Sequence, residues 1–269
     1  MFDRQLAEEA GANLAEVRRA RPLIHNITNF VVMNYTANGL LAMGASPVMA
    51  HAQGEVEEMV SLAGALVLNI GTLSPEWIDS MVRAGKRANE LDIPVVLDPV
   101  GSGATRMRTA SAKRIIGEVS IRVIRGNSSE ILSLAQGGAR TKGVDSLHAV
   151  DEAGETAGAL ARELKITLAV TGAVDLVTDG SRLLRVHNGH PMMQNVTGTG
   201  CTATAAIGAF MAVDKDSVRA TATALAYFGL AGEKAAEKAD GPGSYQIGML
   251  DALYRITPEH LKEGARIQR

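Results

Sequence analysis

Four short, largely apolar runs constrain this chain more than any other feature: ALVLNIG (65–71), PVVLDPV (94–100), IRVIRGN (121–127) and TLAVTG (167–172). A strand with one wet face alternates apolar and polar residues. These runs carry apolar residues at consecutive positions, so both faces must be covered. Each ends in a loop holding glycine or proline, and helix-like segments lie between them. Strand–helix alternation of this kind predicts a largely parallel sheet with helices on both faces. The core must be built from small aliphatic side chains, because 46% of the chain is hydrophobic but only 3% is aromatic.

The helical segments carry their own punctuation. Leu6, Ala10, Leu14 and Val17 fall near helical spacing in the first twenty residues. Thr28 or Asn29 is expected to cap a helix running to about Gly44. EVEEMVSLA reads as a helix. Ser74, with Pro75 and Glu76 behind it, reads as the cap of another. Ser128 is expected to open SSEILSLAQ. A break at Gly137-Gly138 precedes a long helix within DEAGETAGALARELK. DLVTDG and RLLRVHN read as strands joined by a turn at Asp179-Gly180, and the last third is mostly helical. No Pro-, Gly- or Ser-rich linker and no repeat divides the chain, so residues 1–269 are read as one α/β domain. In such sheets ligands gather at the carboxyl ends of the strands.

Charge and cysteine use narrow the function classes. The net charge is −2 with no Lys/Arg stripe, which argues against a nucleic-acid surface. The single cysteine cannot form an internal disulfide, and the first residues do not form a secretory signal; both fit a cytoplasmic protein. No apolar stretch is long enough to span a membrane.

The stretch NVTGTGCTATAAIGAF (195–210) is the strongest chemical signal. Gly198 and Gly200 let the backbone turn and approach a ligand closely. Unpaired amides and the dipole at the start of the following helix make an anion hole, suited to phosphate. A P-loop is excluded, because no lysine follows the glycines. Gly198, Gly200 and Ala203 match G-x-G-x-x-A, but the match follows HPMMQNV far along the chain rather than the first strand of a βαβ unit, and a helix pair comes next instead of a strand. The remaining template is an anion hole with a reactive residue, Cys201, in the first helical turn. A thiol there is expected to have a lowered pKa and to act as a base or a nucleophile. The plain alternative is a small buried hydrophobe.

Asp98 ends an apolar strand and Glu130 lies just past another. Together they can hold Mg²⁺ beside nucleotide phosphates. Separately, Glu130 can belong to the first turn of its helix and Asp98 can cap the glycine loop. Arg125 is placed for a phosphate or a surface ion pair, and Thr171-Gly172 for a nucleotide or a simple turn. His187 and His190 have no zinc-site spacing. By composition alone, Met49 is more often core than ligand contact.

Taken together, HNITNFVVMNYTANGLLAMGASPVMA, LNIGTL, PVVLDPVGSGATR, IRGNSSEI, LAVTGAVDLVTDG and NVTGTGCTATAAIGAF resemble the hydroxyethylthiazole kinases of thiamine salvage, over about residues 23–245. TGTGC alone does not single them out, since a related pyrimidine kinase has a similar run. HNITN with ANGLLAMGASPVMA does. The resemblance implies a ribokinase-like three-layer sandwich, a central mostly parallel sheet between helices. It implies transfer of the ATP γ-phosphate, with Mg²⁺, to the primary alcohol of 4-methyl-5-(2-hydroxyethyl)thiazole. It also implies a homotrimer with active sites at subunit interfaces. By the same resemblance Met49 and Gly198 contact substrate, with Asn29 bordering the thiazole. Arg125 and Thr171, with Thr199 and Gly200 of the anion loop, bind ATP; Asp98 and Glu130 hold Mg²⁺. Cys201 stands where most of the wider superfamily has an aspartate base. The rivals are a hydroxymethylpyrimidine or other small-alcohol kinase, a non-catalytic carrier, and an NAD-binding oxidoreductase resting on G-x-G-x-x-A.

Overall fold

The computed structural model describes residues 1–135 and 148–269. Its strands are β1 (Leu23–Ile27), β2 (Ser46–Val48), β3 (Ala65–Asn69), β4 (Val95–Asp98), β5 (Val123–Asn127), β6 (Thr167–Thr171), β7 (Asp175–Thr178), β8 (Leu183–Val186) and β9 (Ile267–Gln268). They form one sheet in the order β2-β1-β3-β4-β5-β6-β7-β8-β9. Every pairing from β2 to β6 is parallel. The pairings from β6 to β9 are antiparallel. The expected parallel core and late hairpin are both present, and the turn at Asp179-Gly180 joins β7 to β8.

The four apolar runs are covered on both faces, and residue size sorts the two. On one face lie Ile24, Ala65, Val67, Val96, Val123, Ala169 and Val177. On the other lie Ile27, Leu66, Leu68, Val95, Leu97, Ile124, Leu168 and Leu176. The smaller set lets a helix lie close. That helix is α8 (Thr199–Met211), where a Cβ on Gly208 would come within 2.6 Å of Val67. With α8 on this face pack α1 (Arg4–Ala20), α2 (Met33–Met43), α9 (Ser217–Ala236), α10 (Pro242–Arg255) and α11 (Pro258–Gly264). The larger set meets α3 (Val56–Val60), α4 (Pro75–Glu90), α5 (Arg106–Glu118), α6 (Ser128–Leu134) and α7 (His148–Leu164). No described helix is long and apolar enough to cross a membrane.

Local expectations fare unevenly. Ser74 caps α4, accepting from the Trp77 amide at 3.3 Å, with Pro75 in the first turn. Helix α2 does reach Gly44, but it starts at Met33 with Val32 as an N-cap that makes no side-chain bond. Thr28 and Asn29 therefore do not cap it, because the chain between β1 and α2 is used to aim Asn29 elsewhere. Ser128 is the first residue of α6, and Asn127 caps it. The break expected at Gly137-Gly138 lies outside the described residues.

Candidate active site

Period-two alternation builds the site floor. Val67 and Asn69 share a face of β3, Val96 and Asp98 a face of β4, Val123 and Arg125 a face of β5. The valines face α8, so the polar residues at the strand ends face it too. Register brings them level: Asn69 pairs with Asp98, and one residue earlier Leu97 pairs with Ile124. Asn69, Asp98 and Arg125 thus form a row beneath the N-terminus of α8.

That N-terminus is open. Gly198 is the N-cap, with φ +91°, and no side chain caps the helix. The first helical bond runs from the Thr202 amide to Gly198 O at 2.8 Å, leaving the amides of Thr199, Gly200 and Cys201 at the mouth. A side chain at Gly198 would be strained by its φ and would press on Val32 and Tyr35, at 3.1 and 3.3 Å. A Cβ at Gly200 would lie 2.7 Å from the Arg125 guanidinium, which packs directly on the loop. The Thr199 hydroxyl is occupied, donating to Met193 O at 2.9 Å and Val196 O at 3.1 Å. Thr199 therefore offers a ligand its amide, while its side chain anchors the loop.

Asp98 is fully buried. Its Oδ2 accepts from Asn69 Nδ2 at 3.0 Å and Thr204 Oγ1 at 2.8 Å, and Arg125 Nη1 stands 3.8 Å away. Its Oδ1 has no partner, nor does Arg125 Nε. Burial pushes the Asp98 carboxyl up to about 6; Arg125 opposes this and the Glu130 carboxylate reinforces it. Two unpartnered, oppositely charged atoms in one buried row leave bonding capacity for a cation and an anion.

Glu130 follows its plainer expectation, with a twist. It completes a capping box with Asn127, accepting that amide at 2.8 Å on Oε2. Its Oε1 accepts from the Gly101 amide, also at 2.8 Å, tying the loop after β4 to the start of α6. Each oxygen spends one lone pair on an amide and keeps another. Among the described residues no group of three or more His, Cys, Asp or Glu is gathered as a metal site. Arg108 braces the same loops, donating to Val100 O and Gly71 O, each at 2.7 Å.

Cys201 sits above the same floor, beside the asparagine end of the row. Asn29 Nδ2 donates to its sulfur at 3.6 Å and to Asn69 Oδ1 at 2.8 Å. Burial pushes the thiol up to about 11, and the charge of Asp98 adds to the rise. The lowered pKa expected from the helix N-terminus is therefore overturned. Desolvation is the largest cause, the Asp98 charge adds to it, and the Asn69, Asn29 and Arg125 contacts only temper it.

On the other side of Arg125 a cleft of about 510 Å³ opens between the ends of β5 and β6 and helix α9. Thr171, Thr199, Gly200 and Arg125 line it, and Ala173, Pro191, Leu225 and Phe228 add an apolar wall. Asp175 borders it, accepting from the Gly172 amide at 2.9 Å, with its carboxyl raised to about 6 by burial. The Thr171 hydroxyl donates to Gly126 O at 3.3 Å.

The structure thus joins Asn29, Asp98, Arg125, Glu130, Thr171, Gly198, Thr199, Gly200 and Cys201 around one helix mouth. Met49 stands apart, in the loop after β2 at the sheet edge. That loop is held by His25, whose Nε2 bonds Ala50 O at 2.7 Å. Sequence reasoning passed over Asn69, Thr204, Arg108 and Asp175. Asn69 was open to the argument used for Asp98, a polar residue ending an apolar strand. Thr204 lies one turn from Cys201, facing the same floor.

Known proteins resemble this chain over nearly its full length. The sequence profile of the hydroxyethylthiazole kinase family matches residues 14–259. A hydroxyethylthiazole kinase of Desulfotalea psychrophila is 64% identical over 259 residues, covering 96% of this chain and 95% of the relative. The solved hydroxyethylthiazole kinase structure from Pyrococcus horikoshii is 48% identical, with a TM-score of 0.89 over 97% of this chain and 98% of that one. A ribokinase-like protein of Enterococcus faecalis, 14% identical, superposes with a TM-score of 0.63 over 96% of each chain, a likeness of fold alone.

Proposed function

The chain belongs to the hydroxyethylthiazole kinase family, and from that premise we propose its reaction. It transfers the γ-phosphoryl group of ATP to the primary alcohol of 4-methyl-5-(2-hydroxyethyl)thiazole, giving the phosphate ester and ADP in thiamine salvage. The observation that carries the reading is the uncapped mouth of α8, with Arg125 packed against Gly200 on one side and Cys201 on the other.

ATP would lie in the cleft beside Thr171, its phosphates reaching the amides of Thr199 and Gly200 and the Arg125 guanidinium. Phosphoryl transfer asks mainly for positioning and for charge stabilisation on the transferring oxygens. The amides supply donors already aimed at the site of developing charge, with no reorganisation at the moment of reaction. Asp98 and Glu130 suit Mg²⁺, since Asp98 Oδ1 is buried without a partner and Glu130 keeps a lone pair on each oxygen. When bound, the ion would offset the phosphate charge. The alcohol would enter on the Cys201 side. With its pKa near 11, the thiol is protonated at neutral pH, so Cys201 orients the hydroxyl rather than stripping its proton beforehand. The proton leaves late, as bonding to phosphorus develops.

We place Met49 and Gly198 at the thiazole, with Asn29 at its border. The protein is read as a cytoplasmic homotrimer with the site at a subunit interface. Exposed Phe30 and Val31 (65% and 64%) directly follow Asn29 and favour a second copy covering that side. Sedimentation should give three chains per particle.

The deciding assay offers hydroxyethylthiazole and hydroxymethylpyrimidine side by side with ATP and Mg²⁺. Thiazole phosphate as the main product supports the reading. Activity on the pyrimidine alone keeps the phosphate site and moves the substrate. No transfer to either favours the carrier.

A further inference from the structure

Asn69 is 2% exposed and uses both ends of its carboxamide, which also lies near enough to Cys201 to temper the rise of the thiol. Its Oδ1 accepts from the Gly71 amide at 3.0 Å and from Asn29 Nδ2 at 2.8 Å, while its Nδ2 donates to Asp98 Oδ2 at 3.0 Å. A backbone amide can only donate and an ionised carboxylate can only accept, so this carboxamide has one possible orientation. That orientation propagates. Because Asn69 presents oxygen to Asn29, Asn29 must answer with its NH₂ group, and the same group reaches the Cys201 sulfur at 3.6 Å. The remaining oxygen of Asn29 is then turned away from both partners. It is not among the buried atoms that lack a partner.

A carboxamide has nearly the same shape when flipped by 180°, so packing alone does not choose its sense. Asn29 needs an outside reference, and Asn69 is that reference, fixed by the sheet on one side and the loop after β3 on the other.

We propose that Asn69 is a positioning residue for the alcohol, fixing through Asn29 which face of that carboxamide meets Cys201 and which meets the substrate hydroxyl. The proposal rests on the reading that the alcohol enters beside Asn29 and Cys201. Held in this sense, Asn29 steadies the sulfur as a hydrogen-bond acceptor and presents an oxygen to the incoming O–H. Flipped, it would point NH₂ at that O–H and leave the hydroxyl without its acceptor. The chain Asp98–Asn69–Asn29–Cys201 also means that one side-chain row sets both halves of the site, phosphate and alcohol, in a single register.

The test is a double-mutant cycle in steady-state phosphate transfer, with Asn69→Ala, Asn29→Ala and the double variant, each checked for an intact thermal transition. Each single change should lower kcat/KM for the alcohol by roughly tenfold to hundredfold, the scale of a misplaced reacting group. KM for ATP should stay within about twofold, and the double variant should be no worse than Asn29→Ala, since both remove one device. Losses that multiply overturn the proposal, as does an Asn69→Ala effect confined to KM for ATP, which would mean that it acts through Asp98. An Asn29→Ala enzyme with normal alcohol kinetics sinks the underlying reading itself, a separate failure. If Asn69→Ala does not fold, Asn29→Asp asks the question from the other end. It keeps oxygens for the hydroxyl but has no donor for Asn69. A tenfold loss supports the proposal, and wild-type kcat/KM overturns it.

Discussion

The two sides of the α8 mouth are built from different chemistry. On one side Arg125, Asp98 and Glu130 bring three formal charges and leave Asp98 Oδ1 and Arg125 Nε without partners. On the other, Asn29, Asn69 and Cys201 bring amides and a thiol whose bonds are made within the protein. The charged side is incomplete by itself and strained by burial, as a site for charged ligands must be before they arrive. The neutral side is oriented by its own bonds and brings no formal charge, which suits a small uncharged alcohol. Binding energy should therefore concentrate on the charged side and geometric tuning on the neutral one.

The largest expected effect tests the charged side. Arg125→Ala should lower kcat/KM for ATP by about 10²–10³-fold, because a charge aimed at the phosphates is lost and Asp98 loses its nearest cation. A loss of less than tenfold would break the contrast. Next comes the hinge between the sides. Gly198→Val must hold a β-branched residue at φ +91° against Val32 and Tyr35. It should cost roughly 1–3 kcal/mol of stability and reduce kcat/KM for both substrates together. On the neutral side the effects should be smaller. Cys201→Ala should slow turnover by roughly tenfold without abolishing it, and Cys201→Asp should retain or raise turnover by supplying a base. If both were inactive while folded and binding ATP, the thiol would be obligatory.

A separate effect concerns the stability of the ligand-free protein. The Asp98 carboxyl sits at about 6 when folded, against about 4 in an unfolded chain. Between those values the folded protein holds the extra proton, so stability falls as pH rises through this window, by about 3 kcal/mol. Asp98→Asn should flatten that slope and raise the melting temperature of the ligand-free protein at pH 8, while phosphate transfer is largely lost. A lower melting temperature at pH 8 would mean that Arg125 more than offsets the burial.

The sequence carried the fold far because its four apolar runs allow few arrangements. Burial on both faces, with helices between, left a parallel sheet as the simplest solution, and Ser74 with Pro75 marked α4 correctly. The site was legible where it depended on the chain's own local chemistry, as at Gly198, Gly200 and Asp98. It was not legible where it depended on what burial does to a group. The helix N-terminus argued for an acidic Cys201, but nothing in the string TGTGC reveals that Asp98 lies beneath it. Likewise Asn29 looked like a cap because caps are local, whereas its partners Asn69 and Cys201 lie 40 and 172 residues away.

The exit of β1 has a consequence for how this chain can change over generations. Within five residues, His25 holds the carbonyl of Ala50 in the loop carrying Met49, and Asn29 reaches Asn69 and Cys201. His25 is fully buried, and burial lowers its pKa, so it serves as a neutral donor of one length and shape. A substitution at either position is felt in a loop it does not belong to, and is tolerated only if that loop changes as well. Drift through HNITN must therefore proceed by paired replacements at separate places in the chain.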